Sequence, residues 1–133
     1  MRKQYHFRPG ESGLRAWDVD RLVLLSRHLK PHWVALAEIR ELDEFYWDGR
    51  MTPRDISEHA RLIHEADLAY PIILSSDGRV MDGMHRAAKA AMLGRTQLLA
   101  VRFEVDPEPD FVGVDPDDLP YDEELPKDES PDA

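Results

Sequence analysis

Asp82-Gly83-Met84-His85-Arg86 sets a carboxylate, a glycine, an imidazole and a guanidinium within five consecutive positions. Residues of these types suit the capture of an oxyanion. The first amides of a helix have no partner inside the helix and carry partial positive charge. A glycine beside them removes a Cβ, so that another backbone or a ligand can come close. An arginine adds a planar fork of donors matched to phosphate or carboxylate. A helix start built from these parts is an anion cradle. It is not a Walker loop, because the Gly-Lys-Ser/Thr ending is missing, nor a dinucleotide fingerprint, which needs three spaced glycines.

For the cradle to work, the surrounding elements must place it at a helix head. Pro71-Ile72-Ile73-Leu74, a turn at Asp77-Gly78 and then Val80-Met81 read as a β-hairpin. The alanine-rich stretch from Ala87 to Leu93, closed by Gly94, reads as the helix that follows. Upstream, Asp18 caps a helix predicted over Val19 to Leu29, which Pro31 stops. Trp33 to Ile39 fits a strand, and Arg40 to Arg50 a loop. Thr52-Pro53-Arg54-Asp55 is a helix start with a variant capping box. That helix should run to about Asp67, with Ile56, Ala60, Ile63 and Ala66 on a buried face. Thr96 to Glu104 is the last strand, with Leu98, Ala100 and Arg102 on one face. Helices interleaved with strands in this order predict an α+β fold, a small mixed β-sheet with helices packed on it.

A second group of candidates precedes the cradle. Glu38, Glu41, Asp43 and Glu44 stand before Phe45-Tyr46-Trp47. They read either as a base or metal ligand facing the phosphates with an aromatic wall beside it, or as a solvated acidic turn followed by core-covering rings. The histidines show no ligand pattern. His59 and His64 lie five apart, where a shared metal wants three or four, and His6, His28 and His32 are scattered. These are read as surface or partly buried side chains, and no protein metal site is expected. Trp17, Trp33 and Trp47 are read as core or lid residues, because the basic residues that a nucleic-acid stacking platform needs are scarce around them.

The chain has 133 residues, enough for one domain with a core, and no cysteine, which excludes disulfides and thiol chemistry. No apolar run reaches 18 residues, so no membrane partner is expected. With no charged-then-apolar leader at its start, a cytoplasmic location is expected. The net charge of −10 is unevenly spread. Residues 106–133 hold twelve acids and one lysine, a net −11, while residues 1–105 hold sixteen basic and fifteen acidic residues, a net +1. This places a loose arm at residues 1–17, the domain at 18–105, and an acidic, proline-rich extension at 106–133, irregular or disordered for much of its length. Phe111, Val112, Val114, Leu119 and Tyr121 are the residues that could pin its first half, with nothing ordered expected past Asp122. The acidic extension argues against nucleic acid as a partner.

From the helix before Tyr70-Pro71-Ile72-Ile73-Leu74, through the hairpin, to Gly83-Met84-His85-Arg86-Ala87-Ala88, the chain resembles the ParB/sulfiredoxin superfamily over residues 34–103. The last segment is similar to that family's phosphate-binding box. The resemblance implies a nucleotide or small phosphorylated ligand, ATP, ADP or CTP, with Mg²⁺ bridging its phosphates. Gly83 and the amides of Met84 and His85 would receive phosphate oxygens, and His85 and Arg86 would donate side-chain hydrogen bonds. Asp82 would stand at the mouth of the site. In the related free-serine kinases a glutamate after the first strand acts on the substrate hydroxyl, and Glu44 falls nearest that position. The implied activity is phosphotransfer to a small hydroxyl compound, with Glu44 or Asp82 orienting the nucleophile. The alternative is a non-catalytic module that senses a nucleotide through the same pocket, with nuclease activity ranked last. Two departures limit the resemblance. Met84 stands where sulfiredoxins carry their cysteine, and an acidic tail replaces the DNA-binding and dimerisation regions of chromosomal ParB proteins.

Overall fold

Alternating side chains at both ends of a short turn make the first hairpin. Tyr5–Gly10 (β1) and Gly13–Asp18 (β2) pair antiparallel across Glu11-Ser12. The computed structural model describes residues 3–47 and 49–121, and its contacts divide the chain into two compact units. Among the described residues, one unit joins residues 3–25 to residues 107–121, and the other lies within Ser26–Asp106.

In the first unit β1 and β2 are completed by Phe111–Val112 (β7), which pairs with Arg15 and Ala16 of β2. Val19–Ser26 (α1) follows β2 directly. Ala16, Trp17, Leu22 and Leu119 are its buried apolar residues. The Trp17 indole donates to the Pro107 carbonyl at 2.8 Å. Tyr5 meets Phe111 and Tyr121 edge-on, with ring centres 6.0 and 5.4 Å away. Gly13 has φ +120°, and a Cβ there would lie 2.8 Å from the Gly113 Cα, so the close approach of these two backbone segments requires glycine.

One expectation is corrected here. Within residues 1–17, expected as a loose arm, residues 5–10 and 13–17 lie in strands. In the extension, expected to be irregular or disordered for much of its length, residues 111–112 supply the third strand. Residues 5–8 pair with residues 15–18 of the same hairpin, and the third strand that completes this sheet comes from residues 111–112, far along the chain. Phe111 and Tyr121 pin the extension to this hairpin through Tyr5, and Leu119 is buried. The expectation for residues beyond Asp122 lies outside the described residues.

The second unit is a four-stranded mixed sheet in the order β3-β6-β4-β5. Its strands are His32–Ala35 (β3), Ile72–Leu74 (β4), Val80–Asp82 (β5) and Gln97–Arg102 (β6). β3 and β5 run antiparallel to their neighbours, and β4 and β6 run parallel, with Ile72 opposite Ala100. Pro53–Glu65 (α2) and Met84–Met92 (α3) pack against each other, and α3 also covers β4 and β6. The core comprises Leu36, Ile39, Ile72, Leu74, Val80, Met84, Ala87, Ala90, Leu98 and Ala100. Ala87 and Ala90 are fully buried, and their small side chains let α3 lie close on the sheet. The α+β class is as the sequence predicts.

Boundaries differ in two places, and the burial of α2 in a third respect. α1 ends at Ser26 rather than Leu29, and the strand expected over 33–39 ends at Ala35, followed by two 3₁₀ turns over Leu36–Glu38 and Arg40–Asp43. No residue of α2 is fully buried, and Ile56 is 55% exposed. The apolar stripe of α2 is therefore only partly covered, since α3 is the element that packs along it.

Candidate functional site

The three helices begin differently. α1 starts with its Val19 amide bonded to the Gln4 carbonyl and its Asp20 amide bonded to the Asp18 side chain. α2 carries a complete capping box: the Asp55 amide donates to Thr52 Oγ1 at 3.1 Å and the Thr52 amide to Asp55 Oδ2 at 3.0 Å. α3 has no side-chain cap. Its cap residue is Gly83, and the amides of Met84, His85 and Arg86 have no hydrogen-bond partner among the described residues. Orphan amides at a helix head carry the positive end of the dipole and need an acceptor from water or a ligand.

Gly83 holds φ +111°, a left-handed conformation that side chains resist. Its missing Cβ does not leave room for a ligand. A Cβ there would lie 2.5 Å from Ile72 Cγ2 and 3.1 Å from an Arg86 Nη atom. The close neighbour is thus the core side chain of β4, and the Met84 side chain beside it is buried at 6% exposure.

Arg86 is likewise turned inward. Nη1 donates to the carbonyls of Tyr70 at 3.1 Å and Pro71 at 2.8 Å, and Nη2 to Asp82 at 3.0 Å. The guanidinium fork therefore ties the approach to β4 onto the end of β5. Arg86, expected as a phosphate donor, and Asp82, expected at the mouth of the site, are ion partners of each other.

The acidic turn divides by burial. Glu44 is half-exposed and meets Arg79 through both oxygens, at 2.6 and 3.2 Å. The arginine holds the Glu44 carboxyl below its ordinary range, which makes it a poor acceptor of a proton. Glu41 is 3% exposed. Its Oε2 accepts from the Val80 amide at 2.7 Å and lies 3.1 Å from Arg79 Nε, while its Oε1 is buried without a partner. Tyr46 is 40% exposed over the whole residue, but its hydroxyl is the desolvated end. Burial, with Glu41 and Asp82 nearby, pushes that hydroxyl up to about 12. The 40–43 turn packs against α3, so Glu41 belongs to the surroundings of the helix head.

His85, the second residue of α3, meets His59 of α2 with Nε2 and Nδ1 2.8 Å apart. One nitrogen donates and the other accepts. Trp47 stacks across both rings, with centres 4.3 Å from His59 and 4.8 Å from His85. Burial, with His59 adding to it, lowers the His85 pKa from its ordinary value.

Sequence reasoning placed the helix head and the acidic turn but missed the singular role of Glu41 and the pairing of His59. The signal for Glu41 was its membership in the acidic group, which left it equal to its neighbours. The His59–His85 pair has no local signal, since the two lie 26 residues apart. No family model, curated protein or solved structure matches the chain.

Proposed function

We propose that the head of α3 binds a phosphate group of a nucleotide such as ATP, ADP or CTP, and that the protein transfers phosphate to a small hydroxyl compound. The observation that carries the reading is the contrast among helix starts. α1 has acceptors for its Val19 and Asp20 amides and α2 for its Asp55 amide, whereas none of the amides of Met84, His85 and Arg86 has an acceptor among the described residues. The residues here resemble the phosphate box of the ParB/sulfiredoxin superfamily, which supports the same ligand class.

In this scheme the three amides hold phosphate oxygens, with His85 beside them. Arg86 and Asp82 act indirectly, by fixing the start of α3 against the Tyr70-Pro71 carbonyls. Glu41 replaces Glu44 as the candidate base. Its unpartnered Oε1 suits the acceptance of a hydrogen bond, and then a proton, from a substrate hydroxyl. Among the described residues no three His, Asp or Glu side chains are grouped to hold a metal ion. Mg²⁺ would therefore be bound through the nucleotide's own phosphate oxygens, where it offsets charge.

A sensor that binds a nucleotide without turnover is the second reading, favoured by the pairing of Glu44 with Arg79 and of Asp82 with Arg86. Amide NMR of the full chain with ATP, ADP, CTP or pyrophosphate, each with and without Mg²⁺, tests the shared premise. Saturable shifts centred on Met84, His85 and Arg86 are expected. Shifts confined to other segments, or none with any of these probes, would remove both readings. A phosphate-transfer assay across hydroxyl compounds then separates enzyme from sensor.

A further inference from the structure

The His59–His85 pair under Trp47 has chemistry that the phosphate reading does not use. Three segments converge there: His59 from α2, His85 from the first turn of α3, and Trp47 from the stretch after the acidic turn. The facing nitrogens are 2.8 Å apart, so there is room for one hydrogen between them. The two ring planes differ by 27°, and the indole lies within 28° of each.

We propose that the two imidazoles form a one-proton latch that holds the Trp47 ring: the stack is closed while the pair carries no more than one added proton, and it is released when the second is added. Neutral, the pair has a hydrogen on one facing nitrogen and a lone pair on the other. The first added proton goes to an outward nitrogen or is shared through the hydrogen bond, and the Trp47 face stabilises the resulting cation. The second puts a hydrogen on both facing nitrogens at once. The hydrogen bond is lost and two cations are left in stacked contact. The pair titrates as a unit rather than as two separate histidines.

The surrounding charges set the range in which this occurs. On α2, the carboxylates of Asp55 and Glu58 lie within electrostatic range of His59. At the head of α3, Asp82 and Arg86 neutralise each other. On the side of the 40–43 turn, Glu41 and Glu44 share Arg79, and Tyr46 is un-ionised at neutral pH. Desolvation of His85 opposes the second proton. Release therefore falls on the acid side of the ordinary histidine value of about 6.5.

The test uses the full chain labelled with fluorotryptophan, which has three tryptophans, and fluorine NMR from about pH 8 to about pH 4.5. Trp47→Phe assigns the signal. The expected result is a Trp47 shift with a midpoint below about 6.5, while the Trp17 and Trp33 signals stay in place. Ring-nitrogen NMR of the unmutated chain should show His59 Nδ1 and His85 Nε2 changing at that same midpoint. His59→Asn should cut the amplitude at Trp47 at least fivefold. A Trp47 signal unchanged over the range overturns the latch. So does a transition shared by all three tryptophans, which is global unfolding, or two histidines titrating independently. None of these readouts involves a phosphate ligand.

Discussion

Glu41 Oε2 accepts the Val80 amide at 2.7 Å, so a carboxylate from the acidic turn closes the first position of β5. The contact joins two segments 39 residues apart. It also places a 3%-exposed carboxylate against the sheet that feeds α3. Arg79 offsets its charge through Nε, and the second oxygen is buried without a partner.

Glu41→Leu should destabilise the protein by about 3 kcal/mol, because it leaves Arg79 short of a partner and the Val80 amide buried without an acceptor. Glu41→Gln keeps an acceptor for Val80 and should cost about half as much, while abolishing any phosphate transfer. Urea denaturation of both variants checks the first part and a transfer assay the second. Equal stabilities for the two variants would contradict the role of the Val80 contact.

Arg86→Ala should lower stability by about 2 kcal/mol, since the carbonyls of Tyr70 and Pro71 and the Asp82 carboxylate lose their common donor. Arg86→Lys should recover less than half, because a single ammonium cannot reproduce the fork. Denaturation midpoints decide it. Wild-type stability in Arg86→Ala would return the guanidinium to the list of free phosphate donors.

Gly83→Ala should destabilise by more than about 2 kcal/mol. The backbone conformation at φ +111° resists a side chain, and the new Cβ meets Ile72 Cγ2 at 2.5 Å. By contrast, Gly78→Ala has the positive φ of +83° but no neighbour within 4 Å, so it should cost about 1 kcal/mol, from the backbone alone. The difference between the two thermal midpoints isolates the contribution of Ile72.

Tyr46 should ionise last among the tyrosines of the described residues. Its folded value of about 12 lies above the ordinary value of 10, so the folded state holds this proton more tightly than the unfolded chain does. The associated stability is full below pH 10 and is lost as pH rises from there toward 12. Absorbance titration of tyrosinate should contain a late step that Tyr46→Phe removes. If the variant loses an ordinary step near 10 instead, the hydroxyl is not desolvated.

Local chemistry wrote part of this protein into its sequence. The capping box at Thr52 and Asp55 forms as spaced, because its partners lie three residues apart. The hairpin before Gly83 and the helix after it follow from turn residues, β-branched strands and alanines within a short window. The α+β class follows from the order of those elements. What each candidate side chain does was decided in three dimensions. Arg86 looks like an open anion donor until the Tyr70 and Pro71 carbonyls fold back onto it. Four acids stand close together in the chain, and only packing of their turn against α3 and the sheet buries Glu41 while leaving Glu44 half-exposed. His59 has no recognisable partner along its own helix, and it finds one because α2 and α3 lie side by side. Burial and hydrogen-bond pairing between distant segments depend on the whole packed core, which local spacing does not encode.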